Sequence, residues 1–345
     1  MKLLKSASID LTYKCNFRCK HCYNTSGEHM NKPPELTDKE VLRIAEELVE
    51  TNVESVCLCG GEALLRKDLL FETCQYLKEK NILVSTVSNG YLLNEEVADQ
   101  LKNCGIDTVQ ISVDGASSET HDWMRNQKGS YEKAINALKI LHQKGIKTET
   151  AFVPTKKNIS ELEMAIDNAY ELGAEAFRIQ PIMKLGRAKK FLEDYFLDNK
   201  EYMACKMLID KKRAQYINNN FTIEWADPLE HLRFYSSVKN VLNHISITAY
   251  GDIMITPYLS VSFGNIRRNS IKAYVEGGLK EAWNNPLIKS MIENLHSAED
   301  MDVSLLGLPE IFIEDNIDLD ILRDDYQTKT AEIIRTWRDK NWKKK

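Results

Sequence analysis

One local pattern recurs from Lys5 to about Arg187 and constrains the fold more than anything else in the 345 residues. A short apolar stretch rich in β-branched residues gives way to a polar loop, a helix-patterned segment, a glycine, and the next apolar stretch. The strands read this way are Ala7–Leu11, Ser55–Cys59, Leu83–Val87, Thr108–Val113, Thr148–Val153 and Ala176–Gln180. Short apolar strands that alternate with helices call for parallel pairing through right-handed crossovers. Thr37 and Glu40 form a capping box ahead of one apolar face, Val41, Ile44, Ala45, Leu48 and Val49. Asn94 and Asn158 stand where N-caps belong, the latter with Glu161 three residues on. Gly105, Gly145 and Gly173 stand between helix and strand, as C-terminal caps do. Six such units make either an open doubly wound sheet or an incomplete barrel, and periodicity does not choose between them.

After Arg187 the pattern breaks. A charged helical stretch is expected from Phe191 to Asn219, then strands at Phe221–Trp225, Ile245–Tyr250 and Ile253–Thr256. Gly251-Asp252 joins the last two as a hairpin signal. Ile271–Trp283 and Thr328–Lys345 read as helices, and Ser297–Asp325 is acidic and poorly periodic. The expected divisions are a core over 1–190, a small α+β extension over 191–295, and an acidic segment with a helix over 296–345. The lysine-rich end, Trp342-Lys-Lys-Lys, reads as a solvated terminus.

Forty-six Lys and Arg against 51 Asp and Glu leave a net charge of −5, which argues against a nucleic-acid partner bound by bulk charge. With 43% hydrophobic residues the chain has enough apolar material for a sizeable core. It has no apolar run of about 18 residues, so no membrane partner is expected. Met1–Asp10 lacks the apolar core of a signal peptide, and a cytoplasmic location is expected.

The eight cysteines fall at 15, 19, 22, 57, 59, 74, 104 and 205. A secreted disulfide scaffold is small and spreads its cysteines along the chain, whereas three of these crowd into one loop after the first strand. Cys15, Cys19 and Cys22, spaced C-x3-C-x2-C, point to a soft metal. A closed zinc site or a fully ligated [4Fe–4S] cluster wants four protein ligands. Three leave one coordination position for a substrate or cofactor. His21 is a poor fourth ligand because it adjoins Cys22.

These residues resemble the signature of the radical S-adenosylmethionine (SAM) enzymes, with Phe17 before Cys19 and Tyr23 after Cys22. The later landmarks of that family recur in order over residues 5–187. They are Gly60-Gly61-Glu62, Ser88-Asn89-Gly90, Ser112-Val-Asp114-Gly115, Arg125 in His121-x-x-x-Arg125, Gln180-Pro181 and Leu185-Gly186-Arg187-Ala188. The resemblance implies an α/β fold, a partial (β/α)6 TIM barrel with the site at the C-terminal mouth of the strands. It implies a [4Fe–4S] cluster on Cys15, Cys19 and Cys22, and SAM held by Tyr23, Gly60, Gly61, Glu62, Ser88, Asn89, Ser112, Asp114, Arg125, Gln180 and Gly186. The implied reaction is reductive cleavage of SAM to a 5′-deoxyadenosyl radical, which removes a hydrogen atom from an inert C–H bond. An external one-electron reductant such as flavodoxin or ferredoxin is implied as a partner.

The segment from Ile247 through Pro257-Tyr258 to Trp283 resembles a SPASM or twitch extension. Relatives place a cluster-binding cysteine after that proline, and here the residue is Tyr258, with no cysteine beyond Cys205. One cluster is therefore expected, which favours redox-neutral outcomes such as epimerisation or rearrangement. Cys205, Cys59 and Tyr258 are the candidate hydrogen-atom donors, while Cys57, Cys74 and Cys104 read as core residues. The resemblance implies a peptide substrate in natural-product maturation, with a sugar, nucleoside or other small intermediate as the alternative. Because the cysteine motif begins at residue 15, a separate leader-peptide-binding protein or docking on the extension is expected. A zinc-binding interaction module and an electron-transfer or sensor Fe–S protein are the readings of other classes.

Overall fold

The computed structural model describes residues 4–30, 32–238, 242–293, 295, 300 and 316–341. The Trp342-Lys-Lys-Lys end and most of the acidic segment lie outside the described residues. Six strands follow the sequence pattern: β1 (Ser6–Thr12), β2 (Ser55–Gly60), β3 (Leu83–Ser88), β4 (Thr108–Ser112), β5 (Lys147–Phe152) and β6 (Ala176–Ile179). The helices between them are α1 (Asp38–Glu50), α2 (Lys67–Glu79), α3 (Glu95–Asn103), α4 (Ser118–Arg125), α5 (Ser130–Gln143) and α6 (Leu162–Glu171). All six strands pair in parallel and in chain order. The architecture is a partial TIM barrel.

Strand periodicity explains which residues face which way. In β1, Ala7, Ile9 and Leu11 are buried in the core with the apolar faces of the helices, while Ser8 and Asp10 look into the barrel. The same alternation puts Val56 and Leu58 outward and Cys57 and Cys59 inward on β2. A cavity of about 830 Å³ remains in the interior, lined by polar and apolar side chains together.

The chain after Arg187 continues α7 (Gly186–Phe191), α8 (Asn199–Gln215), β7 (Thr222–Trp225), α9 (Pro228–Ser237), β8 (His244–Ile247) and β9 (Ile253–Met254). It then forms β10 (Val261–Ser262), α10 (Ile271–Glu276), α11 (Pro286–Ile292), β11 (Ile317–Asp318) and α12 (Tyr326–Asn341). Strands β7 and β8 add in parallel to opposite edges of the barrel sheet, beside β6 and β1, and β9 turns back along β8 at the expected hairpin. One sheet and one apolar core run across residue 190. The segment Ile271–Trp283 is broken by Gly277-Gly278 into α10 and a 3-10 turn.

The capping box at Thr37 and the Asn94 cap form as expected, and Gly105, Gly145 and Gly173 take positive φ. Asn158 does not cap. Its Oδ1 accepts from the Thr155 amide at 2.6 Å, and its Nδ2 donates to the Asp114 and Val153 carbonyls at 3.0 and 2.9 Å. A side chain buried between two strand ends satisfies orphaned backbone groups there instead. Glu161 in turn accepts from the amides of Ala116 and Ser117, ahead of α4.

Candidate active site

The loops after successive strands converge on one end of the barrel. The loop after β1 carries Cys15, Cys19 and Cys22, all free thiols. Arg187, 4% exposed, grips this loop: its Nε donates to the Cys19 carbonyl at 2.8 Å and its Nη1 to the Ser26 carbonyl at 3.2 Å. The Arg187 amide donates to the Cys22 carbonyl at 3.0 Å. A Cβ on Gly186 would stand 2.3 Å from the Tyr23 carbonyl oxygen, so only glycine lets these two backbones meet. The pair Gly60-Gly61 abuts the other side of the loop, where added Cβ atoms would fall 2.3 Å from the Thr12 oxygen and 2.4 Å from the Lys14 oxygen. The glycines and Arg187 thus mould the cysteine loop.

Glu62 is buried at the end of β2. It accepts from the Ser88 hydroxyl at 2.9 Å, the Asn89 amide at 2.9 Å and the Leu64 amide at 3.2 Å. Burial raises its pKa, opposed by those three donors. Asn89 also donates through Nδ2 to Asn16 Oδ1 at 2.8 Å, which ties the β3 loop to the cysteine loop. After β4, Asp114 is fully buried, and its Oδ2 lies 2.7 Å from Arg125 Nε and 3.5 Å from His21 Nε2. Burial pushes the Asp114 carboxyl up, but the facing Arg125 and His21 bring it below the ordinary value. Arg125 Nη1 reaches Cys19 Sγ at 3.8 Å. Ser112 and Gln180 end β4 and follow β6, and both are half-buried.

The donor set tests whether the implied cofactors fit. Burial raises the Cys15 thiol and pushes Cys19 up to about 12, with Arg125 opposing the latter shift. Bound iron and the Arg125 charge favour the thiolate. The Phe17 amide already points at Cys15 Sγ, 3.4 Å away. Among the described residues no group of three or more His, Cys, Asp or Glu side chains is set to hold a metal ion. Thiols that grip a four-iron cube at its corners stand farther apart than the ligands of one ion. Buried Asn16 Nδ2 and His21 Nδ1 make no hydrogen bond, while Asp114 Oδ2 and Arg125 Nε meet each other at 2.7 Å. Unsatisfied buried donors beside a cysteine loop are what a polar cofactor would complete. The residues fit.

The model of the radical SAM superfamily matches residues 9–169. A probable GTP 3′,8-cyclase of Sulfurisphaera tokodaii is 31% identical over 74% of this chain and 82% of its own length. This chain belongs to the radical SAM superfamily. It is an enzyme family whose members bind a [4Fe–4S] cluster and SAM, and those are the cofactors of this chain. Among its relatives are an AdoMet-dependent heme synthase of Methanosarcina barkeri, 30% identical over 52% of this chain and 50% of that protein, and the mycofactocin maturase MftC of Mycolicibacterium smegmatis, 33% identical over 54% and 46%. The chain spans about half the length of the first curated relatives it matches. Native anSMEcpe with bound AdoMet and the Cp18Cys peptide shares the fold, with a TM-score of 0.62 at 15% identity over 99% of this chain and 100% of that one. Among the described residues no helix of this radical SAM protein is long and apolar enough to cross a membrane.

The donor candidates separate. Cys59 and Tyr258 both line the barrel cavity, as does Tyr23 of the cysteine loop. Cys205 does not: it is buried in an apolar cluster with Phe177, Ile209 and Ile223, where burial pushes its thiol up to about 12. Cys74 and Cys104 are core residues as expected, but Cys57 lines the cavity. Sequence reading also passed over Asp10, whose Oδ1 accepts from Cys59 Sγ at 3.2 Å, and Arg187 as a clamp. An aspartate alternating with apolar residues in a short strand was the signal for Asp10; nothing local marked Arg187.

Proposed function

We propose that this radical SAM enzyme abstracts a hydrogen atom from a peptide C–H bond and returns one, a redox-neutral change such as epimerisation in natural-product maturation. Cys15, Cys19 and Cys22 hold the single cluster. Glu62 takes the SAM ammonium, with Ser88 and Asn89 fixing its carboxylate. Arg125, held by Asp114, faces the SAM carboxylate from beside Cys19. Tyr23, Ser112, Gln180 and the Gly60-Gly61 and Gly186 backbones frame the rest. When bound and reduced, the cluster and SAM supply a 5′-deoxyadenosyl radical, and the protein orients it and excludes water. Cys59 returns the hydrogen atom from the cavity wall, with Tyr258 of the same wall as the alternative donor.

The observation that carries this reading is the cavity under the cysteine loop, walled by a thiol and continued sideways. Arg178, His231 and Tyr258 also line a second pocket of about 580 Å³ between β7 and α9. An elongated opening suits a chain-like substrate. The maturase relative supports the same reading, and a peptide was seen in a protein of the same fold. The cyclase relative favours a nucleoside triphosphate as a second reading. The cavity speaks against it: its lining cations Lys147 and Arg178 each already face a carboxylate, Glu175 at 3.5 Å and Glu224 at 2.8 Å. A tetraanion needs surplus positive charge.

The test is anaerobic reconstitution with iron and sulfide, reduction, and turnover with SAM in D2O on a candidate peptide. The expected result is 5′-deoxyadenosine together with one solvent deuterium on a peptide carbon. Cys→Ala at 15, 19 or 22 abolishes both. Turnover retained in any of the three variants refutes the site, and turnover of GTP with none of peptide refutes the substrate class.

A further inference from the structure

The sheet that builds the barrel has an open margin. Strand β7 ends the nine-strand order, with β6 on one side and no strand on the other among the described residues. The Thr222 amide donates to the Glu175 carbonyl at 2.9 Å, and the Ala226 amide to the Ile179 carbonyl at 2.8 Å. Residues of that parity direct their backbone groups at β6, so the N–H and C=O of Ile223 and Trp225 point to the open side. Arg213 Nε donates to the Ile223 carbonyl at 2.8 Å and occupies that position. Trp225 keeps both its N–H and its C=O unpaired among the described residues.

The pocket of about 580 Å³ runs along this margin, and every residue from Thr222 to Asp227 lines it. It joins the barrel cavity through Arg178, His231 and Tyr258, which line both. Two side-chain atoms of its lining residues, Trp225 Nε1 and His231 Nε2, are buried without a hydrogen bond. Buried polar groups normally have a partner, and these two have none within the chain. Phe234 of α9 lines the pocket as well and is 58% exposed, an apolar seat beside the strand.

We propose that an extended segment of the peptide substrate docks on β7 as an added strand, antiparallel and centred on Trp225. This rests on the peptide reading above and adds how the peptide is held and which way it runs. The direction follows from the free groups. An antiparallel neighbour can exchange both bonds with a single residue, and Trp225 is the residue whose N–H and C=O are both free. A parallel neighbour would need the Ile223 carbonyl together with the Trp225 amide, and that carbonyl already holds Arg213. Main-chain pairing supplies affinity, and the adjoining side chains supply selectivity. Continuity with the cavity favours the substrate over a second copy of the chain, which would cover the edge without reaching the site. Strand β7 runs parallel to β6, toward the cysteine loop. The N-terminal side of an antiparallel peptide therefore lies nearer that loop, and the modified residue precedes the docked segment.

The probe is a linear peptide selected from a displayed random library on the cluster-loaded full chain with SAM. Hydrogen exchange at single residues is then compared with and without it. The expected result is slowed exchange of the Trp225 amide, with the Thr222 and Ala226 amides unchanged because they already bond β6. N-methylation of one peptide residue should weaken binding roughly 5- to 150-fold by leaving the Trp225 carbonyl unpaired, while its two neighbours tolerate the same change. Trp225→Pro removes the outward N–H, a change that an edge strand accepts, and should weaken binding by a similar factor. The N-methyl series reads the same pairing without altering the protein. If the peptide binds and Trp225 exchange is unchanged, strand addition is overturned while the peptide reading stands. If the Trp225 amide is already protected in a dimer of the chain alone, the edge belongs to a second copy and the proposal is overturned. If no peptide is enriched, both readings fall.

Discussion

Replacing Arg187 with Met removes one guanidinium while keeping its volume in a site that is 4% exposed. Two carbonyl oxygens of the cysteine loop, of Cys19 and Ser26, lose charged donors at 2.8 and 3.2 Å. Each such bond is worth about 1.5–3 kcal/mol, so the loss of the two is about 3–6 kcal/mol. The ion pair to Glu28 at 2.9 Å adds little, because that carboxylate is 45% exposed. At tenfold per 1.4 kcal/mol, the loop-open population rises roughly 100- to 10,000-fold if the whole cost stays local. Hydrogen exchange of the loop amides in the cluster-free protein reads that population, and iron retained after reconstitution and desalting reads its consequence. Arg187→Lys should recover part of the loss, as a single point donor replaces a fork. Unchanged loop exchange and full iron retention in Arg187→Met would refute the assignment of this arginine as the loop's clamp.

Gly186→Ala should lose iron as well, since its Cβ meets the Tyr23 carbonyl oxygen at 2.3 Å at a φ of +54, and colorimetric iron per chain reports it. Glu62→Gln should weaken SAM binding roughly 10- to 150-fold by removing one charge-assisted bond, measured by equilibrium dialysis on the cluster-loaded enzyme. Burial holds the Asp227 carboxyl up at about 6. The folded chain therefore binds that proton more tightly than the unfolded one, and stability falls as pH rises from the ordinary carboxylate range through about 6. In Asp227→Asn, which keeps the oxygen that accepts from the Leu229 amide at 2.8 Å, the drop in thermal midpoint between pH 5 and pH 7 should shrink. An unchanged drop would place that pH dependence elsewhere.

The sequence by itself determined the six parallel βα units, the cysteine loop and the order of the landmarks that follow each strand. These are local matters: period-two and helical apolar patterns, capping residues and ligand spacing are all written within a few residues of one another. It also supported the expectation of one cluster, since no cysteine stands between 206 and 345. Only the tertiary structure decided that β7 and β8 extend the barrel sheet instead of forming a module of their own, because strand pairing between distant segments depends on register and on exposed edges. Only it moved Cys57 from the core to the cavity and Cys205 from the cavity to the core. A cysteine is apolar enough for either place, and which one it takes depends on the face of the strand or helix that finds a partner. Arg187 shows the same limit most sharply: its carbonyl partners lie more than 160 residues away in the chain, and no pattern short enough to read along a sequence spans that distance.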